Sequence, residues 1–529
     1  MLHTPRALRG AVVAPHHLAA QSGLAVLREG GNAVEAAVAA AAAMAVVYPH
    51  MNGIGGDNFW LLAAPGGPVL GIDACGAAAA AATPEAYRAR GFEAIPTRGP
   101  LAANTVAGAV SGWQAALSIA AQWGGRLPLS RLLADAIHYA EAGAPVTASQ
   151  HADTAAKAAE LAGVPGFAAT FLSDDGAPPV GARFRQPALA ATLRRLAEAG
   201  LDDFYRGETA RAMAAELAAV GSPLGAADLA RHRAAEVRPL SLRLAAGTAY
   251  NMPPPTQGLA SLLILGIFER LGCGEAEGFD HLHGLIEATK EAFRVRDAYV
   301  TDPAYMTVAA ESFLEPKAIA AMAARIEPTR AAPWQPGAGP GDTVWLGAID
   351  AEGRAVSVIQ SIYWEFGSAV VLADSGVLWQ NRGTSFALAE GAHNRLAPGR
   401  KPFHTIQPAL ARLDDGRTLV YGTMGGDGQP QTQAAVYTRH VSFGQPLQRA
   451  ITAPRWLLGR TWGAESANLR IENRVDPGVI AALEAAGHEV ARVGAFDPVM
   501  GHAGAVAHHP DGLIEGAADP RGDGVVAAF

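Results

Sequence analysis

No stretch constrains the fold of this chain more than Glu327 to Asp342. It holds Pro328, Pro333, Pro336 and Pro340 with Gly337, Gly339 and Gly341, a composition that helices and central strands exclude and that predicts a surface linker. Beyond it the apolar pattern becomes strand-like. Thr343 to Ile349 and Ala355 to Ile362 flank the turn Asp350-Ala351-Glu352-Gly353, a hairpin signal. A linker that runs straight into a rigid strand puts Thr343 at the strand's first position.

Upstream, helical patterns dominate. The first 50 residues read as two helices joined at Gly30-Gly31-Asn32, the second built almost wholly of Ala and Val and stopped by Pro49. Its uncharged run, Ala36 to Tyr48, is too short to span a bilayer, which takes roughly 20 residues. Phe59 to Ala64 is apolar enough for a buried strand. Further helices are predicted over Trp113 to Gln122, Ser130 to Ala142, Pro187 to Ala199 and Asp280 to Val295. Met252-Pro253-Pro254-Pro255 marks a stiff loop. After the hairpin, strands are predicted at Ala369 to Leu372 and Leu419 to Gly422, and a helix from Gln429 to His440. Strands and helices in both parts indicate an α/β protein in packed layers.

Composition excludes several function classes. Half of the 529 residues are apolar and 17% are charged, which rules out global disorder. The net charge is −8 and no basic stripe occurs, so a nucleic-acid partner is not expected. Two cysteines, Cys75 and Cys273, exclude a disulfide framework and a Cys-based zinc site. With no apolar signal segment at the start, the expectation is a cytoplasmic protein without a membrane partner.

The chemistry concentrates at Thr343. A cut before it would free an amine on a rigid element, with a pKa of roughly 7.7 to 8.0, suited to general-base work at neutral pH. Such an amine could deprotonate its own residue's hydroxyl. The hairpin register sets Thr343 opposite Gln360 or Ser361, roughly 5 Å across. Tyr421 to Pro430 reads as strand, glycine loop and helix start. Its Gly425-Gly426 amides suit an oxyanion hole; a phosphate loop is excluded because no Gly-Lys-Ser/Thr follows and Asp427 would repel phosphate. His281 and His283 lie two apart on a predicted helix and face different ways, so no metal pair is expected. His16-His17 and His508-His509 read as surface or loop residues. Gly53-Ile54-Gly55-Gly56 precedes a strand rather than a helix, so a dinucleotide fingerprint is rejected.

Taken together, these segments resemble the γ-glutamyltranspeptidase family of N-terminal-nucleophile hydrolases. The match is carried by Gly30-Gly31-Asn32-Ala33-Val34-Glu35-Ala36-Ala37, Gly53-Ile54-Gly55-Gly56, Met252-Pro253-Pro254-Pro255, Asp297 to Pro303, Asp342-Thr343, Gly425-Gly426, Ala453-Pro454-Arg455 and Ala518-Asp519-Pro520-Arg521. The resemblance implies a four-layer αββα sandwich made as one precursor. It implies self-cleavage between Asp342 and Thr343, giving a large chain of residues 1–342 and a small chain of 343–529 in one intertwined unit, a heterodimer that could pair into a heterotetramer. Thr343 would be nucleophile and base, Ser361 would contact its amine, and Gly425 and Gly426 would hold the oxyanion. No cofactor and no metal are implied.

Departures from the family's pattern bear on the substrate. Pro84 stands where the γ-glutamyl-binding arginine is expected, Ser385 where the acidic partner of the substrate ammonium is expected, and His404-Thr405 replace paired serines. Tyr363, Arg382, Ser385, His404, Thr405 and Asp427 are the candidate substrate-binding residues. Arg382 offers a bidentate donor to a carboxylate, and losing the acidic residue removes an ionic partner for an ammonium. These motifs look most like the branch containing oxamate amidohydrolase, which implies a small carboxylate-bearing amide as substrate. The alternatives are γ-glutamyl hydrolysis or transfer, on glutathione for instance, with a clamp rebuilt from Arg88 or Arg98, and a non-catalytic binding homologue.

Overall fold

A computed structural model describes residues 3–334, 342–459 and 468–529. Two seven-stranded sheets lie face to face. The first runs Val525–Ala528, Gly10–Ala14, Asp342–Asp350, Ala355–Tyr363, Asp57–Ala63, Val69–Asp73 and Ala235–Val237. The second runs Arg6–Ala7, Ile514–Ala518, Ala503–His508, Thr418–Thr423, Ala409–Leu413, Gly247–Asn251 and Leu240–Leu244. All neighbours within each are antiparallel.

Between the sheets sits a core of Val13, Phe59, Leu61, Trp345, Ile359, Leu410, Val420 and Val506. The first sheet's outer face meets helices that include Ala33–Val47 and Ala109–Gln122. That of the second meets Gly258–Leu271 and Gly428–Tyr437, on which Phe279–Tyr299 packs. The result is a helix–sheet–sheet–helix sandwich, as expected from the family resemblance.

Local chemistry explains the key elements. Asn32 Oδ1 accepts from the amides of Val34 and Glu35, while Glu35 returns a bond to Asn32 N, a reciprocal cap worth about 1 kcal/mol. Every residue of the helix it starts is buried, which small Ala and Val side chains permit on all sides. Trp345 spaces the two sheets. A Cβ on Gly422 would lie 2.1 Å from the Trp345 ring and one on Gly504 2.5 Å from it, so only glycine lets the indole lie there. Its Nε1–H donates to Ser357 Oγ at 2.9 Å.

Several sequence expectations are refined. The hairpin forms as Asp342–Asp350 and Ala355–Tyr363. The helix expected over Ser130 to Ala142 breaks at Leu133 into Leu129–Leu132 and Ala134–Ala142. Ala369 to Leu372 is no strand, making only the bridge Val371–Leu378; Phe366, Gly367 and Ala369 all carry positive φ, which no ladder accommodates. The helix expected over Gln429 to His440 ends at Tyr437 and passes into a π turn, Thr438–Ser442. His16 is buried and caps helix His17–Arg28 by accepting from Leu18 N. Residues 335–341 of the expected linker lie outside the described residues, but its upstream part is docked: Ala331 N donates to Ala486 O.

Candidate active site

The site grows from an irregularity in the hairpin. Asp342 pairs with Tyr363 and Val344 with Gln360, so Ser361 and Ile362 together oppose Thr343 alone, a bulge that re-aims side chains. Thr343 is buried and its Oγ1 donates to Ser361 Oγ at 3.2 Å. Ser361 Oγ also accepts from Tyr363 N at 2.8 Å. Tyr363 has φ 83°, a left-handed conformation costing roughly 1–2 kcal/mol for a non-glycine residue. The hydroxyl-to-amide bond helps hold it there.

Gly425 and Gly426 follow strand Thr418–Thr423 with φ of 115° and 52°. The two peptides that carry their N–H groups are held by their oxygens: Met424 O accepts from Thr423 Oγ1 at 2.8 Å and Gly425 O from Gly428 N at 2.8 Å. Because C=O and N–H oppose each other across a trans peptide, both amides point away from those partners. Among the described residues no acceptor takes either N–H. Such fixed donors can stabilise a developing oxyanion.

Arg382 is fully buried, with its guanidinium carbon over the Tyr363 ring, 3.5 Å from its centroid. Among the described residues its hydrogen bonds are two long ones, 3.3 Å to Phe403 O and 3.3 Å to Thr405 Oγ1. Among the described residues it forms no ion pair. Burial lowers its pKa to about 10, leaving it charged at neutral pH. Ser385 Oγ donates to the same Phe403 O at 3.2 Å. Tyr363, Ser385 and Phe403 line a cleft of ≈ 510 Å³ together with Arg296 and Asp297.

Beside the site lies an acid to which the sequence motifs assign no role. Asp57 is fully buried, accepts from Gly76 N and Gly108 N, and faces His404 Nε2 at 3.5 Å. Burial raises its carboxyl to about 7 against the pull of those amides and of Arg382. Burial likewise drives His404 well below its ordinary value, with Arg382 and Lys401 adding to the effect. The signal was an acid directly after Gly53-Ile54-Gly55-Gly56, where it ends a glycine turn and enters a strand. Asp427, in contrast, is bound by Arg296 Nη1 at 2.7 Å.

Arg88 and Arg98 are engaged elsewhere. Arg88 Nη2 donates to Leu388 O, and Arg98 Nη1 donates to both Glu365 O and Gly367 O while its Nε meets Glu160. Pro84 is the first residue of helix Pro84–Arg88. On distance alone His283, Glu287 and His488 could hold a metal, their ligand atoms lying within 4.8 Å of one another. Those atoms are already committed. His283 Nδ1 pairs with His488 Nε2 at 2.9 Å, and Glu287 accepts from Lys290 Nζ at 2.6 Å and from Ala332 N. The cluster ties down residues 327–332 instead. His281 turns to Thr438.

Comparison with known proteins agrees with this layout. The sequence profile of the γ-glutamyltranspeptidase family matches residues 19–529. Oxamate amidohydrolase proenzyme of Klebsiella pneumoniae subsp. pneumoniae is 56% identical over 98% of both chains. Glutathione hydrolase-like YwrD proenzyme of Bacillus subtilis is 41% identical, again over 98% of each. The crystal structure of cephalosporin acylase from Bacillus halodurans superposes with a TM-score of 0.91 at 34% identity, covering 100% of this chain and 97% of that one.

Proposed function

The chain belongs to the γ-glutamyltranspeptidase family, and from that premise we propose a self-processing amidohydrolase that uses Thr343 on a small carboxylate-bearing amide of the oxamate kind. The observation that carries the substrate reading is Arg382, a buried cation over Tyr363 that no carboxylate of the described residues pairs. A buried charge is costly unless paired, and a planar substrate carboxylate would supply the missing partner through two parallel N–H bonds. The 56% identity to a protein named for oxamate adds to it.

Cleavage between Asp342 and Thr343 would free the Thr343 amine. That amine takes the proton of Oγ1 as the oxygen attacks the amide carbon. The Gly425 and Gly426 amides receive the oxyanion. Collapse returns the proton to the departing nitrogen, releasing ammonia and leaving an ester on Thr343. A water, deprotonated by the same amine, hydrolyses that ester to oxalate and regenerates the hydroxyl. Ser361, 3.2 Å from Oγ1, keeps the nucleophile's rotamer.

The γ-glutamyl reading has less support, because Arg88 and Arg98 are engaged by main-chain carbonyls and Asp297, an acid lining the cleft of Ser385, is held by Arg296 Nε at 2.7 Å. Turnover of oxamate and of a γ-glutamyl anilide by the same sample tests the choice: oxamate is consumed and the anilide is not. Consumption of the anilide alone overturns the substrate reading. Denaturing electrophoresis tests the rest. Wild type gives fragments of about two-thirds and one-third of the mass, and Thr343→Ala stays whole and inactive. An active wild type that remains one band refutes processing.

A further inference from the structure

We infer that Gln257 and Arg296, distant from each other in sequence, form an arm that positions the Gly425-Gly426 loop for catalysis. The inference rests on the proposed role of that loop. Gln257 is fully buried at the start of helix Gly258–Leu271. Its amide nitrogen donates to two carbonyls, Thr405 O at 2.6 Å and Gly426 O at 2.8 Å. Its oxygen accepts from Arg296 Nη1 at 2.9 Å. Two acceptors on one side and a guanidinium on the other leave only one orientation for the amide.

Arg296 completes the arm. The same Nη1 reaches Asp427 Oδ1 at 2.7 Å, and Nε reaches Asp297 at 2.7 Å. The guanidinium stacks on Phe293 at 3.7 Å. One buried cation therefore fixes both the residue after the glycine pair and the amide that grips Gly426 O. Main-chain bonds extend the grip, because Gln257 N donates to His404 O and His404 N to Pro255 O. A single side chain thus spans the loop offered for the oxyanion and the His404-Thr405 loop that meets Arg382 through Thr405.

Each peptide of the glycine pair can rotate with little steric cost, since neither residue has a Cβ. An oxyanion hole works only when its donors are held within a fraction of an ångström before the reaction. Met424 O and Gly425 O are anchored locally; Gly426 O needs Gln257 beside the Gln429 amide at 3.2 Å. Loss of the arm would free the Gly426–Asp427 peptide that follows the second donor, while the main-chain bonds from Gln257 N to His404 O and from His404 N to Pro255 O keep the Thr405 loop beside Arg382. The effect falls on kcat and spares KM.

The test is steady-state kinetics on processed Gln257→Met and Arg296→Met, with active sites titrated by a covalent amide analogue, and the double variant alongside. Expected is a fall in kcat per titrated site of about tenfold to a hundredfold with KM for oxamate within about threefold. The double variant should be no slower than about twofold below the worse single, because both act through one arm. A purely structural role predicts fewer titratable sites with unchanged kcat per site, and that result overturns the inference. So does a change confined to KM. If Gln257→Met gives no soluble protein, Gln257→Asn, too short to bridge the carbonyls, is measured the same way; insolubility of both counts against positioning and for a folding role. An inactive wild type or an active Thr343→Ala refutes the proposed function first, whereas normal Gln257 variants beside an active wild type refute this inference alone.

Discussion

Thr343 Oγ1 and Ser361 Oγ lie 3.2 Å apart across a bulged pair of neighbouring strands. The bulge matters because a regular ladder would not set Ser361 and Ile362 against one residue. Ser361 spends its lone pairs on Thr343 and on Tyr363 N, linking the nucleophile's rotamer to the strained residue beneath Arg382.

Ser361→Ala should therefore lower kcat on the order of tenfold to a hundredfold, or ~1.4–2.7 kcal/mol of barrier, and slow the appearance of the two fragments. Ser361→Thr keeps the hydroxyl and should stay within about fivefold of wild type. Rate assays and timed gels on both variants check this.

Arg382→Lys retains charge but loses the planar fork. The expected loss is about 1–3 kcal/mol in kcat/KM for oxamate, carried mostly by KM. An unchanged KM in Arg382→Lys and in Arg382→Met would mean that another group meets the carboxylate.

Asp57 predicts a pH dependence. Its folded pKa, raised to about 7 by burial, exceeds the ordinary value of 3.8, so between those limits the folded state holds more protons than the unfolded one. Its stability contribution is present in full below about pH 4 and is lost as pH rises through about 7. Melting curves of wild type and Asp57→Asn from pH 5 to 8 should diverge in that sense, the wild type losing ground as pH rises. Ionised Asp57 would also compete for Arg382, so KM for oxamate should climb above pH 7 in wild type and stay flatter in Asp57→Asn.

Gly422→Ala should destabilise by about 1–3 kcal/mol, because the added carbon meets Trp345 at 2.1 Å. Thermal unfolding reads this directly. A melting point equal to wild type would show that the indole can move aside and does not fix the sheet spacing.

Much of the fold was written locally. The hairpin is legible because alternation and a Gly turn are short-range signals, and the helix Ala33–Val47 because Asn32 and Glu35 lie three residues apart. Ala369 to Leu372 misled because apolar residues say nothing about φ: positive values at Phe366, Gly367 and Ala369 come from packing around His50 O and Trp379 O, which accept from Phe366 N and Ser368 N.

Sequence alone determined that Thr343 lies at the start of a strand after a Pro- and Gly-rich stretch, that Gln360 or Ser361 lies across from it and that glycines wait in a second loop. Each statement needs only neighbours within about 20 residues or the order of motifs along the chain. Only the tertiary structure decided which charges are compensated. Among the described residues Arg382 forms no ion pair, Arg296 has Asp427, and Asp57 faces His404 rather than solvent. These pairings join residues more than a hundred positions apart in a low-dielectric interior, where burial and a few ångströms set both pKa and partner.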